Sequence, residues 1–139
     1  MTTQPNPEAQ QASARNSLRA FRLRKHADYQ KAYAASRKRQ SASMSWFLAQ
    51  RVTGSAEVAC PRVGLTAGKV LGKAHERNRI KRRMREVLRR RVDLLPANAD
   101  LILHPRRTVL TMEFRKLEAE VVRILSQARA EMARTETQR

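Results

Sequence analysis

The chain has 139 residues, with 30 Lys and Arg against 12 Asp and Glu, a formal net charge of +18 and a sequence pI near 11.7. That length suits one domain with tails, and no run approaches the roughly 18 apolar residues of a membrane span, so a soluble cytoplasmic protein is expected. A single cysteine, Cys60, excludes an intrachain disulfide, and His26, His75 and His104 form no metal-ligand motif, just as no GxxxxGK(S/T), GxGxxG or GxSxG pattern occurs.

The first residues are polar, contain proline and lack apolar periodicity, so residues 1–20 are expected to be a disordered tail. Residues 15–39 carry nine bases and one acid. Within them residues 25–35 read as a short helix, with Tyr29, Ala32 and Tyr33 at i, i+3 and i+4 on one face. Two tyrosines among only six aromatics are conspicuous. They suit either packing on a sheet or stacking on bases.

A strand is expected over residues 44–52, where Met44, Trp46 and Leu48 alternate against Ser45, Phe47 and Ala49, one set facing the core and the other half exposed. Thr53, Gly54 and Ser55 mark a turn, Cys60 reads as a small apolar filler, and residues 62–66 supply a second strand. Gly68 and Gly72 punctuate the approach to the next element.

That element is the strongest signal in the chain. Eleven of the 23 residues from 69 to 91 are Lys or Arg, and only Glu76 and Glu86 are acidic. Ile80, Met84, Val87 and Leu88 recur at i, i+4, i+7 and i+8, the buried stripe of an amphipathic helix. On a helical wheel Asn78, Arg82, Arg85 and Arg89 share one face, and Arg79, Arg83 and Arg90 share an adjacent one. Like charges at this spacing repel, so helix stability gives no reason for such a surface, whereas an anionic polymer does. Arginine predominates, and its guanidinium can fork onto phosphate or stack on a base. A membrane-surface helix would need a wide, bulky apolar face, and this stripe is narrow and without aromatics.

Residues 100–104 form a short apolar run of strand length ended by Pro105. In the last helix Phe114, Leu117, Val121, Ile124, Leu125, Ala128 and Met132 trace a continuous stripe, with Thr111 as the expected N-cap and residues 129–139 as a frayed tail. The order helix, strands, helix, strand, helix indicates a two-layer α+β single domain over residues 21–128. No cluster of Asp and Glu is available to bind a metal, and the basic surfaces indicate a nucleic-acid-binding protein, for which a ribosomal or RNA-assembly protein fits and a helix-turn-helix DNA binder fits less well.

Three segments together, RLRKHADYQKAY, PRVGLTAGKVLGKAHERNRIKRRMREVLR and DLILHPR, closely resemble the protein subunit of bacterial ribonuclease P. The resemblance runs from Arg22 to Ala128, and RNRIKR is its most diagnostic block. It implies a four-stranded sheet with helices against it and a left-handed βαβ crossover. It also implies an endonuclease that removes the 5′ leader of precursor tRNA, in which catalytic groups lie in an RNA subunit that holds magnesium, and none in this chain.

By the same resemblance the catalytic RNA would meet Arg77, Asn78, Arg79, Lys81, Arg82 and Arg85, with Lys69, Lys73 and Arg89 extending that surface. A cleft between the first helix and the sheet would hold the leader through Arg22, Arg24, Lys25, Tyr29 and Tyr33, with Trp46 and Phe47 as alternatives for the strand aromatic on its wall. Val70 stands where the family commonly has a second lysine after Lys69.

Overall fold

The computed structural model describes residues 18–51 and 60–137. Tail residues 1–17 and the expected turn at Thr53 to Ser55 lie outside them. Leu18–Phe21 is a 3-10 turn. Then come α1 (His26–Ala34), β1 (Lys38–Gln40), β2 (Met44–Gln50), β3 (Arg62–Leu65), a 3-10 turn at Lys69–Leu71, α2 (Ala74–Arg90), a turn at Val92–Leu94, β4 (Ala99–Pro105), a turn at Arg107–Leu110 and α3 (Phe114–Thr137).

The four strands form one mixed sheet in the order β1-β2-β4-β3. β2 lies antiparallel between β1 and β4, pairing Phe47 with Lys38 on one side and with Ile102 on the other. β3 runs parallel to β4, Val63 opposite Leu101, and α2 makes the crossover between them.

Strand alternation sends the side chains into two cores of unequal size. Met44, Trp46, Val63, Leu101 and Leu103 face the larger one, where they meet the predicted stripe of α2, Ile80, Met84, Val87 and Leu88, and Leu117, Val121, Ile124, Leu125 and Ala128 of α3. On the opposite face α1 closes a small cluster of Leu23, Ala32, Ala49 and Ile102, flanked by Tyr29, Tyr33 and Phe47. Both faces of β2 are thus covered, where the alternation suggested one semi-exposed face.

Three local expectations are corrected. Thr111 ends the 3-10 turn at Arg107–Leu110 and is not the N-cap of α3; the Glu113 carbonyl accepts the Leu117 N–H instead, and the helix begins at Phe114. The expected C-terminal tail is helical through Thr137, because Met132 prolongs the buried stripe and Glu131 pairs with Arg39 of β1. Cys60 is exposed and fills no core position.

Glu120 is a buried carboxylate on α3 that clamps the β1–β2 turn. It accepts from the hydroxyls of Ser41 and Ser43 and from the Ser43 N–H, while Arg106 donates to the Ser41 carbonyl and the Gln40 amide oxygen.

Candidate nucleic-acid interface

The start of α2 is fixed by a compact set of contacts. Gly72 has φ +126°, the region that favours glycine, and a Cβ there would sit 2.3 Å from Arg107 Nη1 and 2.8 Å from Glu76 Oε1. Glu76 accepts the Lys73 N–H, a capping bond at the helix N-terminus, and pairs with Arg107, which also donates to the Leu71 carbonyl. Arg107, first among its causes, holds the Glu76 carboxyl below its ordinary pKa.

From there the two cationic faces part. Asn78, Arg79, Arg82 and Arg85 are exposed, Lys81 and Arg77 half-buried, and Lys69 and Lys73 exposed on the approach. Arg83 turns inward and donates to the carbonyls of Leu110 and Met112. Arg90 lies over the Phe114 ring, 4.8 Å from its centroid, and reaches Glu86 and Glu118. The face read as a second cationic surface is therefore largely a seam with α3 and the turn before it, and of its three arginines only Arg79 stays wholly outward. Arg89 pairs with Glu86, the one acid on the outward side, whose pKa is lowered chiefly by that bond. Val70 is 92% exposed, the single large apolar side chain so placed among the described residues.

The second surface is the cleft between α1 and the sheet. Tyr29 lies on Gly64 and donates to the Leu23 carbonyl at 3.2 Å. Burial first, and Tyr33 second, raise its pKa. Tyr33 is edge-on to Phe47, with centroids 4.9 Å apart, and its hydroxyl is 2.8 Å from His104 Nε2. Of the two strand aromatics, Phe47 belongs to this cleft. Trp46 does not: it is 2% exposed in the larger core on the other face of the sheet, under the Arg39 guanidinium.

The two surfaces are joined. Arg22 bridges to Val63 beside β3, and one groove brings Arg22 and Tyr29 together with Lys81 and Arg85 of α2. A wider groove of about 530 Å³ continues from Arg19 and Arg22 to Arg82, Arg85 and Arg89. Arg24 donates to the Arg19 carbonyl, and Lys25 is exposed at the start of α1. Cations and aromatic faces thus line one continuous path, the pairing that single-stranded nucleic acid requires.

At the far end of the cleft Arg62 holds Asp100 through two bonds of 2.7 and 2.8 Å and reaches Asp28 at 3.1 Å. The acids there are spent on arginine. Among the described residues no group of three or more His, Cys, Asp or Glu could hold a metal ion, and no helix is long and apolar enough to cross a membrane.

The sequence reading missed four residues of this site: Gly64, Arg19, Lys38 and His104. Glycine inside a strand is a signal of close approach by another group, and it was available for Gly64. Nothing local distinguishes the other three.

The profile of the Ribonuclease P family matches residues 18–129, which contain both surfaces and the path between them. The chain belongs to the ribonuclease P family. The ribonuclease P protein component of Chloroflexus aggregans is 34% identical over 111 residues, covering 79% of this chain and 78% of that protein. That of Thermobifida fusca is 32% identical over 103 residues, with 72% and 70% covered. The fold agrees: the ribonuclease P proteins of Staphylococcus aureus (24% identity, 79% of this chain and 96% of that one) and Thermotoga maritima (22%, 76% and 96%) both superpose with a TM-score of 0.64. The ribonuclease P fold is thus the mixed four-stranded sheet with three helices described above.

Proposed function

We propose that this chain is the protein component of a ribonuclease P holoenzyme, which removes the 5′ leader of precursor tRNA while a catalytic RNA performs the hydrolysis. The family match over residues 18–129 carries this reading, and relatives named as the protein component match 72% and 79% of the chain. A ribosomal or assembly role is not favoured by that match.

In this reading the outward face of α2, with Arg79, Arg82 and Arg85 at its centre, docks on the catalytic RNA. The α1 cleft takes the leader, with Tyr29, Tyr33 and Phe47 as the stacking surface and Arg22, Arg24 and Lys25 at its phosphates. Gripping the leader favours precursor over product, and each neutralised phosphate adds salt-dependent affinity. In this reading magnesium is held mainly by the RNA subunit. What this chain supplies near the scissile bond is positive charge and position.

The test is precursor cleavage by the matched catalytic RNA at low magnesium, with and without the protein, with protein alone as control. Cleavage that needs the RNA and is strongly stimulated by the protein is the expected result, with Arg79→Ala weakening assembly and Tyr33→Ala weakening the preference for precursor. RNA binding without stimulation would sink the proposal.

A further inference from the structure

His104 stands on the cleft wall beside the rings of Tyr33 and Phe47. It is half-buried; its Nε2 is 2.8 Å from the Tyr33 hydroxyl, and its ring lies 5.7 Å from that of Tyr33 and 5.2 Å from that of Phe47. Its second ring nitrogen, Nδ1, has no protein partner among the described residues. Lys38 of β1 shares the face, being the register partner of Phe47, and its charge is felt at the imidazole.

We propose that His104, with the Tyr33 hydroxyl and Lys38, forms a phosphate subsite in the cleft, so that leader binding strengthens as the imidazole takes up a proton. The inference rests on the leader-binding reading above and adds one residue and one dependence to it.

The chemistry follows from the inventory of groups. A neutral imidazole has one N–H; its protonated form has two, so one can engage the Tyr33 oxygen while the other, now carrying charge, is free for a ligand. An imidazolium, an ammonium and a hydroxyl together suit an anion. Among the described residues no carboxylate faces them: α1 brings Tyr33, β1 brings Lys38, β2 brings only Ser45 and Phe47, and the one charged residue of β3, Arg62, is occupied by Asp100 four residues away along β4. In the free protein burial, and then Lys38, hold the His104 pKa below 6.5. A bound phosphate opposes both effects and raises it. By linkage a rise of about one unit makes the protonated protein bind about tenfold more tightly than the neutral one.

The experiment measures binding of precursor and of mature tRNA to the assembled holoenzyme from about pH 8 to about pH 5.5, the range in which histidine titrates. The ratio of the two affinities isolates the leader. In the wild type that ratio is expected to rise several-fold toward acid, and in His104→Gln to stay flat. Neutral methylphosphonate linkages in the leader should abolish the rise in the wild type. If wild type and His104→Gln share one pH profile, the proposal fails. A rise that His104→Gln removes but neutral linkages leave intact also overturns it, because His104 would then be meeting a base. A ratio near one at every pH would instead overturn the leader-binding reading itself.

Discussion

Gly64→Ala tests the architecture of the cleft with one added carbon. An ideal Cβ at Gly64 falls 2.6 Å from Tyr29 Oη and 2.8 Å from Cε1 and Cζ, all inside van der Waals contact. To restore an ordinary separation of about 3.5 Å or more the ring must retreat by about 1 Å. It is confined, with its hydroxyl bonded to Leu23 and the Tyr33 ring centroid 6.3 Å away. Overpacking of this kind costs about 1–3 kcal/mol, and losing the Leu23 bond adds about 1 kcal/mol. Removing glycine from a strand returns about 0.5–1 kcal/mol. A net destabilisation of about 1–3 kcal/mol is therefore expected in urea unfolding of the free protein, with an unchanged slope. The decisive measurement is the double-mutant cycle with Tyr29→Ala, where the vacated space should make Gly64→Ala neutral or slightly stabilising, a coupling of about 1.5–3 kcal/mol. If Gly64→Ala costs the same in both backgrounds, Tyr29 is not seated on Gly64 and the stacking wall drawn here is wrong.

The arginines of α2 should separate by role: Arg82→Ala leaves stability within about 0.5 kcal/mol and lowers the salt slope of RNA binding by up to about one unit, whereas Arg83→Ala strands two carbonyls and costs about 2 kcal/mol in thermal unfolding. Equal effects of the two on folding would refute that division. Glu120→Ala leaves Ser43 buried without its acceptor, and a loss of about 2–3 kcal/mol is expected in urea unfolding; a loss under about 0.5 kcal/mol would show that the turn does not depend on the clamp. Glu86→Gln removes the acid that partners Arg89 and Arg90, so catalytic-RNA affinity at low salt should rise by about twofold to fivefold and fall more steeply with added salt. Unchanged affinity and slope would mean that Arg89 does not face the RNA.

The stripes of α2 and α3 were legible because period alone reveals them: Ile80, Met84, Val87 and Leu88 are all fully buried, and so are Leu117, Val121 and Leu125. What period does not reveal is who stands opposite. The wheel grouped Arg79, Arg83 and Arg90 correctly in direction, yet the carbonyls that take Arg83 belong to Leu110 and Met112 on another element. Alternation along β2 likewise defined two faces without saying which would meet the tyrosines, so Trp46 and Phe47 stayed equivalent until both faces were covered. β1 escaped notice because Lys38, Arg39 and Gln40 have no strand pattern of their own; register against Ser45, Trp46 and Phe47 makes them a strand. The family resemblance supplied the stacking surface and the basic motif, whereas His104 and Lys38 come together only through the sheet.

The unequal cores divide the molecule into a stiff half and a pliant half. α2 and α3 are bound to the sheet by eighteen buried apolar residues, whereas α1 is held by a cluster of four, two of them alanines. Displacing α1 slightly forfeits little buried area, while displacing α2 would open the main core. Tolerance to change is distributed accordingly. On the proposed reading, one side would offer a fixed template for a partner that never varies, and the other a wall able to yield to a strand whose letters differ from one molecule to the next.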